Sequence, residues 1–111
     1  MNGKRNFPEY DLGLVKSLAS SGRVSLTKKG TDWLRNHGYS PRKAIDFVLS
    51  LDEGEYVETL LPSREGGLPA DVYRCCYGDG ELEGEFYVKF LVESQSLVVV
   101  VLSCKEWGYG W

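Results

Sequence analysis

The chain is poor in the residues that metal, redox and membrane chemistry rely on. It holds one histidine and three cysteines. The cysteines, Cys75, Cys76 and Cys104, are odd in number and show no C-x-x-C spacing, so neither a disulfide framework nor a zinc site is supported. On a strand, adjacent Cys75 and Cys76 point to opposite faces. All three read best as small buried hydrophobes. No apolar run reaches the ~18–20 residues that cross a bilayer. The opening residues lack the apolar stretch of a signal peptide. The expected setting is cytoplasmic, with no membrane partner, no metal and no cofactor. There is also no internal repeat, linker or low-complexity tract. The lone His37 sits at the end of a predicted helix, where its natural role is to cap the C-terminus.

At 111 residues, with 42% apolar and 26% charged side chains, the composition is that of one globular domain spanning residues 1–111. A chain of this size buries roughly 65% of its unfolded surface, enough for one core without staples. Its charge is unevenly spread. Residues 1–51 carry nine bases against four acids, a net +5, and residues 52–111 carry four against twelve, a net −8. The basic half can meet a polyanion, or the two halves can complement each other within the fold.

Helical signals come first. Asp11 is an N-cap ahead of Leu12, Val15, Leu18 and Ala19, with Gly22 closing the helix. Residues 23–26 read as an extended link. Thr27 or Thr31 caps a second helix that holds Trp33 and Leu34 and ends at Gly38. Ser40-Pro41 marks a third, with Ala44, Ile45, Val48 and Leu49 on one face. Arg42 and Lys43 in its first turn oppose the helix dipole by a few tenths of a kcal/mol each. They read as a solvated face or as contacts to an anion.

The period then changes. Residues 55–61 and 71–77 read as strands joined by a mobile loop at 63–69, which contains Arg64. Gly78-Asp79-Gly80 is a turn rather than a phosphate loop, since no lysine follows and no helix starts there. Two strands over 82–92 and 97–104 form a hairpin. Phe86, Val88, Phe90 and Val92 alternate with Tyr87, Lys89 and Leu91, and the second strand is apolar on both sides. No Asn-Gly or Asp-Gly imposes a two-residue turn. A three-residue turn at 94–96 would pair residue 87 with 103 and set Lys105 diagonal to Tyr87 on one face. Helices followed by strands give an α+β fold, with the N-terminal helices packed on an antiparallel sheet.

The ordered segments resemble the MqsR (motility quorum-sensing regulator) toxins of bacterial toxin–antitoxin pairs. The match runs from about Tyr10 to Glu106. It includes Val15-Lys16-Ser17-Leu18, Gly22-Arg23-Val24 and Val48-Leu49-Ser50-Leu51. Its strongest stretches are Asp71-Val72-Tyr73-Arg74, Gly84-Glu85-Phe86-Tyr87-Val88-Lys89-Phe90 and Cys104-Lys105-Glu106. The resemblance implies a curved RelE-like sheet and a metal-independent endoribonuclease that cuts single-stranded mRNA and is silenced by a cognate antitoxin. It gives Tyr87 and Lys105 catalytic roles and places Arg74 near phosphate. Lys89, Arg64 and Tyr73 are the expected substrate contacts. Two positions depart from the family pattern, Glu58 in place of a catalytic lysine and Ala70 in place of a glutamine. At ~5 Å and an effective dielectric of ~20, one unit charge contributes roughly 3 kcal/mol, so the reversal at Glu58 matters. Glu58 can instead serve as general base, with Arg64 replacing the missing cation.

Three functions follow: an active ribonuclease, a family member that has lost catalysis but still binds RNA or protein, and an interaction domain using Trp107, Tyr109 and Trp111.

Overall fold

A computed structural model describes residues 3–108. In chain order it forms β1 (Gly3–Arg5), α1 (Leu12–Ser20), β2 (Val24–Leu26), α2 (Lys28–Asn36), α3 (Lys43–Ser50), a 3-10 turn (Glu53–Glu55), β3 (Tyr56–Leu61), β4 (Ala70–Gly78), β5 (Glu83–Glu93) and β6 (Val98–Glu106). The strands make one sheet in the order β1-β3-β4-β5-β6-β2. The class is α+β, as the sequence order implies.

The sheet is mixed rather than antiparallel. β2 runs parallel to β6, with Val24, Ser25 and Leu26 beside Val99, Val100 and Val101. The stretch expected as a link is therefore a strand. Three residues are too few for an alternation to reveal a partner, and parallel neighbours lie far apart in sequence. β1, within the N-terminal ten residues, pairs with β3 and forms the opposite edge.

The caps explain where the helices begin. The Asp11 carboxylate accepts from Leu14 N at 2.9 Å, and Thr27 Oγ1 accepts from Gly30 N at 2.9 Å. α3 starts two residues later than Ser40-Pro41 suggests. Ser40 Oγ accepts from Arg42 N at 3.2 Å and shapes a turn, while Arg42 stands at the N-cap with no side-chain bond. Lys43 awaits no anion, since it pairs with Asp79 and with Glu81. Those carboxylates push its pKa up. A base of the positive half thus meets acids of the negative half. His37 caps α2 as expected, its Nδ1–H donating to Trp33 O at 2.8 Å while its ring stacks on Trp33 at 4.2 Å.

One side of the sheet carries the core. Phe47 of α3 stacks on Phe86 at 4.6 Å, and Trp33 of α2 meets the same ring edge-on at 5.8 Å. Val88, Phe90, Val99 and Val101 are fully buried in the same cluster, which also takes Val15, Leu34 and Val48 from the helices. Each such side chain contributes roughly 1.5–3 kcal/mol of hydrophobic stabilisation. Cys75 and Cys104 lie in this layer, and burial pushes the Cys75 thiol up to about 11. Cys76 departs from the expectation of burial. It is exposed, because its neighbour Cys75 takes the covered face.

The N-terminal segment is tied down by a buried carboxylate. Asp71 accepts from Glu9 N and Tyr10 N, each at 3.0 Å, and from the Thr59 hydroxyl at 2.5 Å. This anchor holds β1 against β3. No helix among the described residues is long and apolar enough to cross a membrane.

Candidate active site

The site is built by register. β5 and β6 meet through a four-residue turn, not the expected three, with Glu93 opposite Val98. Leu97 N donates to Glu93 O at 2.8 Å, and Leu97 adopts φ 53. The Arg23 guanidinium clamps this turn by donating to the carbonyls of Leu97 at 2.9 Å and Ser96 at 2.5 Å. An even turn alone would leave Lys105 off the Tyr87 face. The register shifts by one residue between Lys89 and Phe90, where the β6 partner moves from Ser103 to Val101 and Leu102 bulges. The bulge restores parity. Tyr87 lies directly opposite Lys105, not diagonal to it.

β4 extends the row. Arg74 is opposite Tyr87 on its other side, so Arg74, Tyr87 and Lys105 stand as direct cross-strand neighbours on the face away from the core. Strands lie ~4.8 Å apart, so the row spans roughly 10 Å, about the reach of one phosphate and its sugar. Two residues along the strands a second row reads Glu58, Val72, Lys89, Ser103. Val72 is fully buried between the Glu58 and Lys89 positions although it belongs to this outer face.

Side-chain contacts orient the groups. Lys105 Nζ lies 5.4 Å from the centre of the Tyr87 ring. Arg74 donates to Glu85 Oε1 at 2.6 Å and stacks over the Trp107 ring at 4.7 Å. Both members of the Arg74–Glu85 pair are about half exposed, so it positions more than it stabilises. Trp107 also approaches Tyr87, ring centres 6.0 Å apart. Of the three tail aromatics, Tyr109 and Trp111 lie outside the described residues.

Burial, then the Glu58 charge, raise the pKa of Tyr87 above its ordinary 10.0. The phenol therefore stays protonated at neutral pH. Lys89 shifts the other way. Burial lowers its pKa below 10.5, and the charges of Lys29 and Lys105 add to the shift.

Two expected substrate contacts lie apart from the row. Tyr73 is 1% exposed and stacks on Phe90 at 5.7 Å within the core. Alternation along β4 turns it away from Arg74, and burial raises its pKa to about 12. Arg64 is exposed on the 62–69 loop and lines none of the recesses around the row. The cation beside Glu58 is instead Lys4 of β1, with Nζ 3.5 Å from Glu58 Oε1. Lys4, Glu58, Leu60, Tyr87 and Lys105 line one shallow recess of about 340 Å³. Sequence reading missed Lys4 because β1 is three polar or glycine residues without period. The signal that existed was electrostatic, since an acid at position 58 calls for a cation near it. Ala70, the position at which the resemblance led to an expected glutamine, is 7% exposed and offers no polar side-chain group.

Among the described residues, no group of three His, Cys, Asp or Glu side chains is close enough to hold a metal ion.

The model of the family described as motility quorum-sensing regulator, toxin of MqsA, matches residues 7–106. The chain belongs to the MqsR toxin family. It is thereby a toxin of a toxin–antitoxin pair, with a cognate antitoxin as partner. The matched stretch contains Glu58, Arg74, Tyr87, Lys89 and Lys105, and Lys4 precedes it. No curated protein matches the chain.

Proposed function

We propose that this MqsR-family toxin is an endoribonuclease that cuts single-stranded mRNA by transesterification, with its chemistry on the outer face of β3–β6. The reading treats residues 1–111 as one RelE-like domain. The observation that carries it is the row Arg74–Tyr87–Lys105, two cations flanking a phenol on rigid strands, with Glu58 in the next row.

In this reading the RNA 2′-oxygen attacks the adjacent phosphorus while the Glu58 carboxylate takes the hydroxyl proton. A pentavalent phosphorane forms with an extra negative charge. Lys105 and Arg74 stabilise that charge from opposite sides of Tyr87. The P–O5′ bond then breaks, and the neutral Tyr87 phenol protonates the leaving 5′-oxygen. The products are a 2′,3′-cyclic phosphate and a 5′-hydroxyl. Lys4 holds the Glu58 carboxylate in place, and Lys89 binds backbone phosphate.

The test is product chemistry. Cut ends are expected to carry 2′,3′-cyclic phosphate and 5′-hydroxyl groups, and a single 2′-deoxy substitution at a mapped site is expected to block that cut. Cleavage that survives 2′-deoxy substitution contradicts the mechanism.

A further inference from the structure

A second recess opens beside the catalytic row. It has a volume of about 420 Å³ and lies between α2 and the bulged stretch of β6. Lys29 and Asn36 line it from the helix, and Lys89, Ser103 and Lys105 from the sheet. Lys105 also lines the recess around Tyr87, so one side chain borders both.

The helix is set close by design of the contact. Thr27 Oγ1 donates to Val101 O at 2.9 Å, just before the bulge. A Cβ on Gly30 would lie 2.2 Å from that same carbonyl oxygen, so only glycine lets α2 approach this far. Lys29, the preceding residue, is thereby carried to the wall of the recess.

The charge balance there is one-sided. Lys29, Lys89 and Lys105 all line the recess, and the charges of Lys29 and Lys105 act on Lys89. Among the described residues Asp32 is the one carboxylate on the wall, and it is already paired with Lys28 at 3.8 Å and Arg35 at 3.3 Å. Neither Lys29 nor Lys89 forms an ion pair among the described residues. Burial first, and then the charges of Lys29 and Lys105, lower the pKa of Lys89, so its ammonium is costly to keep charged here. A bound anion relieves that cost. Asn36 and Ser103 add a side-chain amide and a hydroxyl, the groups that hydrogen-bond sugar and base edges.

We infer that this cleft is a nucleotide subsite that grips the backbone phosphate next to the scissile one, so that single-stranded RNA runs from Tyr87 across Lys105 and in between α2 and β6. The inference rests on the RNA-cleaving reading above and extends it with a direction and a second phosphate contact, centred on Lys29.

The experiment uses the full chain and a fully 2′-O-methylated oligonucleotide, which binds but lacks the attacking hydroxyl. Affinity is measured against salt for wild type, Lys29→Ala and Lys29→Glu, with cleavage of unmodified RNA followed in parallel. Lys29→Ala is expected to weaken binding about threefold to tenfold and to reduce the salt slope by about 1. Lys29→Glu is expected to weaken it further, with thermal stability unchanged for both. Neutral methylphosphonates placed one at a time are expected to reveal one non-scissile position where wild type loses affinity and Lys29→Ala loses none. Wild-type affinity and slope in both variants, while RNA is still cut, overturns the cleft and leaves the cleavage reading standing. Lys29-dependent binding by a protein that cuts nothing supports the cleft and contradicts the cleavage reading. A Lys29 effect confined to antitoxin binding overturns the cleft as an RNA subsite.

Discussion

The two faces of the central strands differ in almost everything except their backbone. On one face Tyr73, Cys75, Phe86, Val88, Phe90 and Cys104 join the core cluster beneath the helices. On the other, Arg74, Tyr87, Lys89 and Lys105 sit one residue away along the same strands. Three of the four basic residues in the acidic second half are in that outer group. The comparison teaches that role follows parity. A side chain here joins the core or the proposed site according to the face it takes, and one bulged residue in β6 decides which face Lys105 takes. Substitutions one position apart are therefore expected to fail in different ways.

The largest effect belongs to the covered face. Phe86→Ala removes the ring that Phe47 and Trp33 pack against, and is expected to cost about 3–5 kcal/mol in urea unfolding. Its neighbour behaves differently. Tyr87→Phe and Lys105→Ala are each expected to slow RNA cleavage by about 10²–10³ while the unfolding midpoint stays close to wild type. A Tyr87→Phe protein that unfolds as readily as Phe86→Ala breaks the comparison. Gly30→Ala tests the hinge between fold and site. Its methyl group collides with Val101 O, so a loss of about 1–3 kcal/mol is expected, together with weaker RNA binding as α2 is displaced. On the outer face, Glu85→Gln frees Arg74 from its carboxylate. RNA affinity is then expected to tighten by about twofold to fivefold at low salt, an effect that fades as salt rises. The smallest effect is on pH. The pKa of Lys89 is depressed, so its charge disappears as pH rises through a window beneath the usual 10.5. Binding of a 2′-O-methylated oligonucleotide is expected to weaken within that window, and Lys89→Gln is expected to flatten the response.

Much of the fold was written locally. Asp11 and Thr27 announce α1 and α2, and alternation in β5 separates Phe86 and Val88 from Tyr87 and Lys89. What was not legible depended on partners far away in sequence. The four-residue turn relies on Arg23, more than seventy residues upstream. The Leu102 bulge leaves no mark in a run of valines and leucines, so the diagonal Tyr87–Lys105 placement expected from a three-residue turn missed their direct pairing. Lys4 was hidden in a strand too short to show a period and held in place by Asp71 through the segment that follows it. Tyr73 belongs to a strongly matching stretch, yet alternation makes it structural while its neighbour Arg74 faces the site. Resemblance located the stretch, and the pleat divided its residues by role.

The most direct test is incubation of antitoxin-free protein with a long single-stranded mRNA in EDTA, followed by mapping of the new 5′ ends. The account predicts discrete cuts with wild type that disappear in Tyr87→Phe and Lys105→Ala. Intact RNA after incubation with folded wild-type protein would contradict it and leave the outer face a binding surface alone.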